Sequence, residues 1–146
     1  METKRIKFKT AEYDEVTGVS KVVIETDLGT FTGVSKIHPN DLDFSSPIFG
    51  CRLAELRADR QYCLALARKY RAKADALNDF YKQMQNTRTF QNSAFYVKCL
   101  QRDIRHYMQL SVHWKTQAHR IKQVVAEDIK ARDEYMKKQR EAVKHV

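Results

Sequence analysis

Glycine and proline are scarce in this chain of 146 residues: four glycines, two prolines, and neither type between Cys51 and Gln85. So few glycines, three of them at turn or strand positions, leave no Gly-rich loop to cradle a pyrophosphate. The three cysteines, Cys51, Cys63 and Cys99, are an odd number without CxxC spacing, which argues against a disulfide framework or a zinc cluster and for reduced, packed thiols. Apolar runs are at most six residues long, over 62–67, far short of the roughly 20 that span a bilayer. The first nine residues carry charge and no apolar core of a secretory signal, so the expected compartment is the cytoplasm. No GxSxG, HExxH or DxDxDG pattern occurs, and no paired carboxylates or nucleophile–base spacing can be read. The chain is therefore expected not to be an enzyme and to need no cofactor.

What is present is positive charge, unevenly spread. Residues 1–46 hold six Lys/Arg against eight Asp/Glu, a net of −2; residues 47–125 hold fifteen against five, a net of +10; residues 126–146 add +1, completing the net +9. A field of this sign favours anionic partners such as nucleotides, nucleic acid or an acidic protein surface, and does not choose among them. With 42% apolar and 31% charged residues, the length suits one domain, 1–146.

Period-two alternation at Ile6 and Phe8 predicts a strand over 4–11. The segment 13–18 ends in Gly18 and reads as a loop. Residues 19–26 are rich in β-branched side chains, as strands are. Asp27-Leu28-Gly29 is a tight turn, and 30–37 reads as a third strand with Gly33 as a candidate bulge. Short connections make an antiparallel meander over 1–37. A turn-rich connector, 38–46, contains His38 and Pro39. Ser46-Pro47 supplies an N-cap and a first-turn proline for a helix over 47–86, whose first turn Gly50 weakens.

Positions 53, 56, 60, 63, 67, 70, 74, 77, 81 and 84 follow a 3-4 spacing, apolar except at Arg60. Such a helix is roughly 50 Å long. Asn86–Thr89 breaks the pattern, Asn92 or Ser93 can cap a second helix over 92–142, and Val97, Leu100, Ile104, Tyr107, Ser111, Trp114, Ala118, Ile121 and Val125 repeat the spacing. Two matching stripes with a short link predict an antiparallel hairpin. The fold class is thus α+β, a three-stranded antiparallel meander followed by a long two-helix hairpin. The thin core and surplus aromatics predict a homodimer or higher homo-oligomer built on the helices.

Three groups could carry binding. Arg52, Arg57 and Arg60 lie within two helical turns, and their planar donors suit phosphate; the alternative for Arg60 is a packed stem with its guanidinium at solvent or on an acid. Arg102 and Arg105, with Lys98 a turn earlier, form a second basic group, equally readable as a solvated face. Phe80, Tyr81, Arg88, Phe90, Asn92 and Tyr96 cluster at the reversal, where rings can stack on a base and an amide can read its edge, or where they can plug the hairpin end. Of the five histidines, His106 and His113 share a helix face but lie about 10 Å apart, too far for one ion, so no metal is expected.

The run KFKTAEYDEVTGVSKVVIETDLGTFTGVSKIHPNDLDF (7–44), followed by FGCRLAELRA (49–58), resembles small proteins from phages of Gram-positive bacteria. The likeness covers residues 5–60: a meander, an HPxD connector, and a helix opening with Gly-Cys and Ala-Glu. Within that group the architecture is similar to the phage anti-Thoeris signal sponges. The resemblance implies a sheet followed by two helices, assembly as an oligomer, and tight binding of cyclic ADP-ribose-type nucleotides without cleavage, an anti-defence activity. No ligand residue of that family maps onto this sequence by motif, so the candidate residues rest on charge and aromatic pattern. Two further readings stand beside it: a protein-directed inhibitor of a host defence nuclease, and direct nucleic-acid binding.

Overall fold

A computed structural model describes residues 4–37 and 46–145. Three strands, β1 (Ile6–Asp14), β2 (Val19–Thr26) and β3 (Gly29–Lys36), form an antiparallel sheet in the order β1-β2-β3. Two long helices follow, α1 (Pro47–Met84) and α3 (Ala94–Lys144), with a four-residue α2 (Arg88–Gln91) between them. The α+β architecture is the one expected. The connector 38–46, with His38 and Pro39, lies outside the described residues except for Ser46. The chain divides into two compact units, residues 1–62 with 118–146 and residues 63–117.

Unit 1 holds the sheet. In β2 every second side chain, Ser20, Val22, Ile24 and Thr26, is buried, and β3 continues this face with Gly33 and Ser35. One face of a period-two strand is thereby committed to a core. β1 runs through Tyr13 and Asp14, further than its alternation suggested. Asp14 then closes the turn itself: its Oδ1 accepts the Val16 and Thr17 N–H groups at 2.9 and 3.3 Å. Its carbonyl accepts from Gly18, whose φ of 68° favours glycine. The Val16 N–H, then the Thr17 N–H, hold the Asp14 carboxyl below its ordinary range.

Gly33 is no bulge. It pairs in register with Val22, and the register shift lies in β1 between Ile6 and Phe8. The reason for glycine is α1. A Cβ at Gly33 would fall 1.8 Å from the Ala54 carbonyl oxygen and 2.7 Å from the Ala58 nitrogen. Ala54 and Ala58 are both 0% exposed, so the helix lies on the sheet through small residues four apart. On one side of that contact, Glu55 and Asp59 hold Lys9 and Lys4 of the β1 side, the second pair at 2.6 Å. On the other side, Arg57 Nη1 donates to the Val34 carbonyl at 2.7 Å and Gln61 Nε2 to the Thr32 carbonyl at 2.9 Å. Tyr62, tilted against Phe31, donates its hydroxyl to Asp27 at 2.6 Å and accepts the Arg5 N–H at 3.0 Å.

The expected cap forms at the start of α1, where Ser46 Oγ accepts the Phe49 N–H at 3.3 Å and Pro47 fills the first helical position. In unit 1, α3 runs antiparallel to α1: Arg52 reaches Asp128 at 3.1 Å, and Arg132 lies over the Phe49 ring at 5.3 Å.

Unit 2 is a helical hairpin. Ser111 Oγ donates to the Ala67 carbonyl at 2.8 Å, and Tyr70 stacks on Tyr107 with 10° between the rings. Further along, Gln101 meets Tyr81 at 3.4 Å, so partner numbers fall on α3 as they rise on α1, as in an antiparallel pair. Cys63, Ala67, Tyr70 and Ala74 of the predicted stripe are buried, as are Leu100 and Trp114 opposite. Among the described residues no helix is long and apolar enough to cross a membrane.

Candidate functional site

The turn between the helices is built by hydrogen bonds that the sequence specifies locally. Met84 O accepts both the Thr87 N–H at 3.0 Å and the Thr87 hydroxyl at 2.8 Å, which ends α1. Thr87 is extended and starts α2, whose last turn is closed by the Asn92 N–H on Arg88 O at 3.2 Å. Ser93, of the two candidate caps, is the one that acts: its Oγ accepts the Tyr96 N–H at 3.4 Å and its carbonyl the Val97 N–H at 3.1 Å. α1 ends at Met84 and α3 begins at Ala94, so the link is longer than the expected 87–91, and α2 within it brings α3 back beside α1.

This places the reversal residues in distinct roles. Phe90 is 4% exposed and meets Tyr81 and Tyr96 edge-on, with ring centroids 5.5 and 5.8 Å apart. It is the plug of the hairpin end. Asn92 sits exposed at the C-cap of α2, Arg88 is exposed, and Phe80 is more than one-third exposed on α1.

Beside the plug, Asn78 and Tyr81 of α1 face Gln101, Ile104 and Arg105 of α3 across an open recess of about 420 Å³. Residues three apart on α1 and three to four apart on α3 share a face, so each helix presents its group to the same space. Gln101 donates to the Tyr81 hydroxyl, which fixes the phenol. Arg105 is exposed and makes no ion pair among the described residues, whereas Arg102 lies within 3.4 Å of its neighbour Asp103. The wall thus offers a phenol and an aliphatic edge that a flat ring can contact, two amides that can pair with its polar edge, and one uncommitted guanidinium for an anion. Among the described residues no Asp, Glu, His, Ser or Cys lines it.

Arg52, Arg57 and Arg60 belong to unit 1, while Phe80, Arg88, Phe90, Asn92, Arg102 and Arg105 belong to unit 2. Arg52 is engaged by Asp128 and Arg57 by the Val34 carbonyl; Arg60 is half-buried with an Nε that has no partner. Sequence reasoning named Tyr81 and Arg105 but passed over Asn78, Gln101 and Ile104. Their signal is helical spacing: Gln101, Ile104 and Arg105 on one stripe, Asn78 three residues before Tyr81. Among the described residues no group of three or more His, Cys, Asp or Glu side chains is placed to hold a metal ion. The chain matches no protein family, no curated protein and no solved structure.

Proposed function

We propose that this protein is a non-enzymatic anti-defence binder that sequesters a cyclic ADP-ribose-type nucleotide. One observation carries the reading: the recess at the hairpin end joins Tyr81, Asn78, Gln101 and an Arg105 that has no ion pair among the described residues, and no carboxylate or nucleophile–base pair is among its described lining. Ring contact, edge hydrogen bonding and a phosphate-binding cation are what a nucleotide requires, and a wall without acids or nucleophiles suits holding over cleavage. The likeness of residues 5–60 to small phage proteins, and of the architecture to the phage sponges, points the same way. Phe95, 79% exposed, and the half-exposed Tyr96 flank the reversal. Aromatic surface of that kind favours a homo-oligomer whose second copy completes the site.

Calorimetry with a panel of cyclic nucleotides, cyclic ADP-ribose isomers included, tests this. At least one should bind below about 10 μM, Arg105→Ala should weaken it about tenfold, and heat should release it unchanged. Absence of any binder at that level rejects the reading. Light scattering giving a single 17.2 kDa chain at micromolar concentration rejects the oligomer.

Direct nucleic-acid binding is the second reading, favoured by exposed Arg88, Lys98, Arg102 and Arg105 in unit 2. It requires affinity for DNA or RNA that falls steeply with salt, and a flat salt response excludes it.

A further inference from the structure

Unit 1 contains a cavity that nucleotide binding at the hairpin does not use. It encloses about 360 Å³ between the end of the sheet, the first turn of α1 and residues 128–136 of α3. Its apolar wall comes from Phe49, Ile37 and Met136, with the rings of Tyr13 and Tyr135 alongside. Its polar wall is unusual. Ser20 is 1% exposed and its Oγ has no hydrogen-bond partner among the described residues; Arg132 lines the same space and its Nε is likewise buried without a partner among them. Buried polar atoms are nearly always paired, so two orphans on one wall mark a place where a ligand completes the bonding. Gly50 belongs to the same construction. A Cβ there would lie 2.2 Å from Ser20 Oγ, so the missing side chain lets the helix start sit over the hydroxyl.

Charge narrows the ligand. Asp128 on the wall is neutralised by Arg52 at 3.1 Å. Arg132 has no ion pair among the described residues and lies over the Phe49 ring, a contact that does not cancel its charge. The N-terminal end of α1, represented on the wall by Ser46, Phe49 and Gly50, adds a positive dipole. The cavity therefore suits one negative charge. A phosphate dianion would face a single guanidinium; a carboxylate matches the planar donor edge of one guanidinium. The volume lies at the small end of the range for ligand cavities.

We propose that this cavity binds a small aromatic carboxylate, with the carboxylate on Arg132 Nε and Ser20 Oγ and the ring among Phe49, Tyr13 and Met136. The proposal is independent of the nucleotide reading. The test is titration of the full chain with 2-naphthoate, its neutral analogue 2-naphthamide, and AMP, by calorimetry and ligand-observed NMR. Naphthoate should bind one per chain, about tenfold more tightly than naphthamide. Arg132→Gln should weaken it about tenfold and Ser20→Ala about threefold, while Arg105→Ala leaves it unchanged. If Arg132→Gln does not fold, Arg132→Lys keeps the charge, removes the Nε donor, and should weaken binding as well. The proposal is overturned if naphthoate shows no saturable binding at about 1 mM, if naphthamide binds equally, if AMP competes with higher affinity, or if the folded Arg132 variant binds as the parent does.

Discussion

In unit 1, α1 buries two sides at once: Ala54 and Ala58 against the sheet, and Leu53, in the predicted stripe, beside them. In unit 2 the same helix packs on α3 through larger groups: Tyr70 stacks on Tyr107, and Leu66, Leu110 and Trp114 are buried. The arginines differ in the same way. Near the sheet, Arg52 and Arg57 are spent on a carboxylate and a strand carbonyl. In the hairpin, Arg71 and Arg102 pair only with acids of their own helix, and Arg88 and Arg105 stand exposed with no ion pair among the described residues. A helix backed by a sheet has its polar groups recruited by the strands, whereas in a bare hairpin they pair along their own helix or stay in solvent.

The largest test of that contrast is Gly33→Val. Its side chain would meet the backbone of α1 and no flexible group, so a loss of about 4 kcal/mol or more is expected in urea unfolding. Hydrogen exchange should show the strands deprotected first. A loss under about 1 kcal/mol would mean that the helix–sheet contact is looser than its geometry implies. In unit 2, Tyr70→Ala empties a site that is 1% exposed and removes the ring beneath Lys69 and Lys73. The expected cost is about 3 kcal/mol, with the change in protection centred on 66–74 and 103–111. If the strands lost protection instead, the two regions would share one packing unit and the contrast would fail.

The smallest effect is in the Asp14 turn. Its carboxyl has a folded pKa depressed by the Val16 and Thr17 N–H groups. Its contribution is therefore complete above the unfolded pKa and is lost as pH falls through the folded one. The Val16 and Thr17 amide resonances should shift with that titration, and Asp14→Asn should remove the pH dependence from both. Unchanged resonances on acidification would contradict the bond.

Much of this was legible beforehand, and the misses share a cause. Val19–Thr26 announced its strand through β-branching, Ser46-Pro47 its helix start, and 63, 67, 70 and 74 their seam, because each depends on residues close in sequence. Ala54 and Ala58 carried no such signal: alanines four apart mean nothing until a glycine on a strand lies opposite. Gly33 was read as a bulge because a strand glycine shows its permissiveness but not the helix that requires it. At the candidate site, Tyr81 and Arg105 were visible through charge and aromaticity. Asn78 and Gln101 were not, since an amide gains meaning only when two helices are set face to face. Ser20 looked like an ordinary strand residue until its buried hydroxyl was found beside Gly50 on the cavity wall.

The paired contacts of Arg57 and Gln61 have a consequence beyond the four atoms they join. Four residues of helix advance about 6 Å, and two residues of strand about 7 Å, so the two side chains and the Thr32 and Val34 carbonyls share nearly one spacing. α1 therefore measures β3 as a gauge measures a rule. Sliding the strand by one position would turn the opposite set of backbone groups toward Arg57 and Gln61 and break both contacts together. A foreign strand approaching the same edge would find those acceptors already taken. Two ordinary surface side chains thus fix where the third strand stops and keep a further strand from joining it.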